Sequence, residues 1–97
     1  MLFRSVVVRR IGPEWRVGRP VEEQTGWTEH AAFMDDLAAS GFVVLGGPLA
    51  DDQRVVLAVE AESEDAVRET LARDNWDQTH LVTDSVDRWD IRLDGRR

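Results

Sequence analysis

The chain contains no cysteine and no lysine. Without cysteine, disulfides, thiolate catalysis and Cys-ligated metal are excluded, and a reducing cytoplasm is the compartment that fits. All twelve basic residues are Arg, which with the many Ala, Val and Asp reads as GC-rich, bacterial-type coding bias. Long hydrophobic runs are missing too. Leu2-Phe3-Arg4-Ser5-Val6-Val7-Val8 is broken by Arg4 and followed by Arg9 and Arg10, and nothing nears the ~20 apolar residues of a membrane span. Neither a signal peptide nor a transmembrane helix is expected, and no membrane partner. Positive charge is scarce: 12 basic against 19 acidic residues leave a net charge of −7. That balance opposes binding to phosphate backbones and excludes nucleic acid as a partner. No Gly-x-Ser-x-Gly elbow surrounds Ser5, Ser40, Ser63 or Ser85, and Gly46-Gly47-Pro48 follows a strand without opening a helix, so it is no phosphate cradle.

What is present is enough for one domain, spanning 1–97, since compact domains commonly hold roughly 100–150 residues. Leu2 to Ile11 is rich in β-branched residues and ends at Gly12-Pro13, a strand closed by a breaker pair. Residues 12–26 carry five Gly or Pro and little periodicity, and form a long connection. Thr28 can cap a helix that runs to Ser40 and stops at Gly41, with Trp27, Ala31, Met34, Leu37 and Ala38 at helical spacing. Phe42–Leu45 and Val55–Val59 read as a hairpin whose long tip is Gly46 to Arg54. Ser63 caps a second helix carried by Ala66, Val67, Thr70 and Leu71 to about Asp74. From His80 through Val86, and on through the alternation of Trp89, Ile91 and Leu93, the chain is again strand-like, long or bulged. Gly95-Arg96-Arg97 reads as a frayed tail. The order β-α-β-β-α-β is a split βαβ plan: an α+β, ferredoxin-like fold with a four-stranded antiparallel sheet and both helices on one face.

The central strands fail to alternate as a half-solvated sheet should. Phe42 and Val44 point one way, Val43 and Leu45 the other, and Val55, Leu57 and Val59 oppose Val56 and Ala58. Both faces are apolar, yet two helices cover only one. A homodimer paired through the bare sheet face is the expectation, against the alternative that these runs express strand propensity alone.

Two ionisable residues stand where burial is expected. Advancing ~100° per residue, His30 falls inside the stripe of the first helix. Asp74 falls within the arc of Val67, Thr70 and Leu71, a costly place for an unpaired charge. The helices of a split βαβ unit run antiparallel, so the start of one meets the end of the other and His30 meets Asp74. A carboxylate on one imidazole nitrogen fixes the tautomer and readies the other nitrogen as a base. A buried polar pair that merely docks two helices fits the same residues. Trp15 and Trp76 are placed to line a pocket, Arg10, Arg16, Arg19 and Arg54 to meet an anionic ligand. The two histidines lack any ligand spacing, so no metal and no cofactor is expected.

The stretch Glu29-His30-Ala31-Ala32-Phe33-Met34-Asp35-Asp36-Leu37, with Gly41, Gly46-Gly47-Pro48-Leu49, Asp51 and Ala72-Arg73-Asp74-Asn75-Trp76, resembles the YCII-related (YciI-like) family. The resemblance covers about 26–94 and departs from the family at Asn75, where Pro is usual, and in the long 12–26 loop. It implies a dimeric α/β barrel with a site centred on His30 and Asp74; Gly47, Pro48, Trp76 and Arg10 are taken as the candidate ligand contacts. The reaction class it implies is isomerase- or lyase-type proton transfer on a small organic molecule. The alternative is a non-catalytic dimeric module that binds a metabolite or accompanies another enzyme.

Overall fold

The computed structural model describes residues 3–95. Leu2, Arg96 and Arg97, assigned above to a strand and a tail, lie outside the described residues. Four strands, β1 (Phe3–Ile11), β2 (Val43–Pro48), β3 (Arg54–Ala61) and β4 (Leu81–Arg88), and two helices, α1 (Trp27–Ala39) and α2 (Glu64–Leu71), follow one another as β-α-β-β-α-β. The strands pair antiparallel in the order β2-β3-β1-β4, a ferredoxin-like α+β sheet. Among the described residues no helix is long and apolar enough to cross a membrane.

Alternation along β1 sorts its residues: Ser5, Val7 and Arg9 are buried, while Arg4 and Arg10 are exposed and Val6 and Val8 half-buried. β3 repeats the period with Leu57, Val59 and Ala61 inside. Val7, Leu57 and Val59 pack with Val67 and Leu71 of α2 and Val86 of β4 into the core, where each such side chain contributes roughly 1.5–3 kcal/mol. Leu81 and Val86 are both buried although five positions apart, which a regular strand forbids. A bulge resolves it: Val8 pairs with Ser85 and Arg9 with Thr83, so Asp84 is the extra residue that resets the phase.

Several boundaries differ from the sequence-based expectation. Helix α1 begins one residue before Thr28, on Gly26, whose φ of 81° is a left-handed conformation that favours glycine. Strand β2 runs on through Gly46-Gly47-Pro48, because those residues pair with Leu57, Val56 and Val55. A register shift between Val43 and Leu45 makes Val44 the extra residue there, so Val43 and Leu45 face opposite ways, one buried and the other exposed. Helix α2 stops at Leu71, and Asp74 lies in the turn beyond it. Ser63 does cap α2, its hydroxyl accepting from the Ala66 N–H at 3.1 Å.

Strand β4 ends at Arg88 and does not extend to Trp89, Ile91 and Leu93. The Trp89 N–H still donates to the Arg4 carbonyl at 2.9 Å, and these three side chains border a shallow 200 Å³ groove beside Leu45 and Ala58. Val6, Val8, Val56, Ala58 and Val82 make the sheet face away from the helices apolar as well.

Candidate functional site

Helix α1 is where the fold departs most from the packing its sequence implies. His30 is its one buried residue; Met34 and Ala38, on the same stripe, border a cavity of about 1160 Å³. The cavity lies between α1 with the 12–26 loop on one side and β2, β3 and their connecting tip on the other, with Val43, Val55 and Leu57 as its apolar far wall. Gly46 shapes that wall: a Cβ there would come within 2.6 Å of Leu57 Cδ2. The long loop is ordered by Gln24, 3 % exposed. Its amide accepts from Arg16 N–H at 2.9 Å and donates to the Arg16 and Arg19 carbonyls at 2.8 and 3.2 Å.

At the inner end, His30 Nδ1 lies 2.8 and 2.9 Å from the two Asp74 oxygens. Asp74 also accepts from Arg9 Nη1 at 2.8 Å and from the Trp76 N–H at 3.0 Å. A second guanidinium nitrogen of Arg9 reaches Asp77 at 3.4 Å. Burial pushes the Asp74 carboxyl upward, but the bonds from His30, the Trp76 N–H and Arg9 outweigh it and leave the group below its ordinary value. An ionised carboxylate only accepts, so in a neutral His30 the proton sits on Nδ1. Nε2 then carries the lone pair. It has no hydrogen-bond partner among the described residues and is not among the buried orphaned atoms, and His30 borders the cavity.

The surrounding turn holds this arrangement. The Trp76 indole N–H donates to the Thr25 carbonyl at 2.7 Å, and Asn75 Nδ2 to the Gly26 carbonyl at 3.0 Å. Gly26 accepts the His30 N–H at 3.1 Å as the first bond of α1. Asn75 thus ties the turn to the start of the helix. Both imidazoles stack on Trp76, with centroids 4.1 Å away for His30 and 4.9 Å for His80. His80 is buried, with Nδ1 3.1 Å from the Thr79 hydroxyl. Among the described residues no group of three or more His, Asp or Glu is arranged to hold a metal ion.

The residues singled out from sequence divide in three. His30 and Asp74 are in contact. Gly47, Pro48, Trp15 and Trp76 border the cavity, but Trp76 is 1 % exposed and acts as a stacking support for His30 more than as open ligand surface. Arg10 does not border this cavity: it lies on the opposite sheet face, exposed and paired with Asp84 at 3.2 Å. Arg9, passed over in the sequence, is the arginine of the site. The signal was the strand period, which gives Arg9 the same inward parity as Ser5 and Val7.

The fold and site therefore define a ferredoxin-like α+β domain with a buried Arg–Asp–His cluster at the base of a large cavity. Comparison with family models, curated proteins and solved structures finds no match.

Proposed function

We propose that the domain is an acid–base catalyst for a small organic molecule, in which His30 Nε2 takes or returns a proton next to a carbonyl. The carrying observation is an imidazole with Nδ1 fixed by a buried carboxylate and Nε2 open to a cavity of about 1160 Å³. Asp74 sets the tautomer and ring orientation. Arg9 balances the charge of Asp74, so the cluster rests near neutrality instead of burying a lone anion.

The resemblance to the YCII-related family agrees with this assignment, including isomerisation or elimination as the reaction class. We further read the apolar sheet face of Val6, Val8, Val56 and Ala58 as the surface through which two copies pair into a dimeric barrel. Without turnover, the same features describe a non-catalytic metabolite-binding module.

Proton exchange separates the two without knowledge of the physiological substrate. Enolisable lactones and ketones incubated with the protein in D₂O should exchange their α-hydrogens, followed by NMR. His30→Gln should slow exchange by roughly 10²–10⁴-fold while keeping the parent circular dichroism. Equal exchange by both proteins would remove His30 from the chemistry, and a variant that only loses stability would make the cluster structural.

A further inference from the structure

The charges around the cavity are unevenly placed. Glu22, Asp35, Asp51 and Asp52 border it and are all exposed. The two exposed arginines among its lining are already bridged, Arg19 to Glu23 at 3.5 Å and Arg54 to Asp51 at 3.0 Å. An anion therefore enters past surplus negative charge. At the inner end no free charge of either sign is on offer, because the Arg9 guanidinium that borders the cavity is committed to Asp74 and Asp77. A cation reaching His30 would leave water for apolar walls with no free counter-charge beside it. An anion there would have to draw Arg9 away from Asp74. Neither sign suits both ends, which reverses the expectation of an anionic ligand gathered by surface arginines.

Between the two ends the walls are hydrocarbon and aromatic. Trp15 and Trp27 gather on Trp76 with centroids 5.7 and 5.9 Å away, and Trp27 lies 6.1 Å from the His30 ring. Facing them are Val43, Val55 and Leu57. Such surfaces hold flat apolar bodies by area and ring contacts. The acceptor at the base is the lone pair of His30 Nε2, which a ligand meets with a donor.

We propose that the cavity binds an uncharged molecule with a flat, largely apolar ring body and a hydroxyl or enolic O–H directed at His30 Nε2. This deepens the acid–base reading and rests on it only for the direction of that O–H. An enol is the tautomer through which a proton next to a carbonyl moves, so the ligand class and the reaction class meet at one atom.

The test is a set of probes sharing one body at pH 7: 2-naphthol, 2-naphthoate and 2-naphthylmethylammonium. Binding to the full chain is followed through the His30 ring signals in ¹H–¹³C spectra, which report on this cavity and not on the groove beside Trp89. 2-Naphthol should bind at least about tenfold more tightly than either ion. Asp35→Asn combined with Asp52→Asn, both at exposed positions, should narrow the gap for 2-naphthoate. An ion that binds as tightly as 2-naphthol, no binding by any probe, or a gap unmoved by the double variant would each overturn the proposal. Turnover plays no part in the readout. A protein that sorts the probes but exchanges no protons would refute only the catalytic reading, and the converse would refute only the ligand class.

Discussion

Asp74→Asn removes the one charge on which three parts of the chain converge. In the parent, Asp74 accepts from His30 at 2.8 Å, from Arg9 at 2.8 Å and from the Trp76 N–H at 3.0 Å, with its side chain wholly buried. An amide keeps one acceptor oxygen but turns an NH₂ toward either His30 or Arg9, both of them donors here, and leaves the buried guanidinium short of its counter-charge. Removing one partner of a buried pair costs about 3–5 kcal/mol. At roughly 4–8 °C per kcal/mol for a domain of this size, the melting midpoint should fall by roughly 12–40 °C. Thermal unfolding followed by circular dichroism at pH 7 measures it. Arg9→Met and Asp74→Leu, each alone and then combined, complete the comparison. The double variant should lose less than the sum of the two single changes, by about 0.5–3 kcal/mol. Acid supplies an independent reading. The Asp74 carboxyl titrates lower in the fold than its ordinary 3.8; its contribution is therefore full above that value and lost as pH falls through the lower folded one. The parent's urea midpoint should drop below about pH 4, and that of Asp74→Asn should drop less. An Asp74→Asn protein that melts within about 2 °C of the parent, or single changes that add, would refute the claim that this carboxylate holds the site together.

Two further outcomes follow from the same geometry. Gly26→Ala places a Cβ 2.7 Å from Asn75 Nδ2 at a φ of 81°, so it should destabilise by more than about 1 kcal/mol and disturb the His30 ring signals, with the urea midpoint and NMR as measures. Leu45→Glu, at an exposed position on the sheet face away from the helices, should leave circular dichroism unchanged and convert a dimer to a monomer in sedimentation equilibrium; a parent that already sediments as a monomer would refute pairing through that face.

The element order, the sheet and the meeting of His30 with Asp74 were legible because they follow from period, caps and topology. Asp74 was placed by the wrong local cause: it was expected on the face of α2, whereas a turn bonded to Leu71 carries it beyond the helix end. The stripe of α1 read as a packing face, and Met34 and Leu37 do pack against the core, while Met34 and Ala38 also border the cavity, because apolar periodicity says which side of a helix leaves water but not how far the sheet lies beneath it. A bulged β4 was among the expectations, but its place at Asp84 and the second bulge at Val44 were not legible, since one added residue changes no composition and only the pairing partner reveals it. Arg9 is a case where the signal was present: period two gives it the inward parity of Ser5 and Val7, and Arg10 the outward one.

The cluster at the cavity base draws on contributions distant along the chain: Asp74 meets a residue 65 positions away on β1 and another 44 positions away on α1. The three side chains come from β1, α1 and the turn after α2, and β1 lies between β3 and β4 in the sheet. The cluster should accordingly form and be lost together with the cooperative folding of the whole domain.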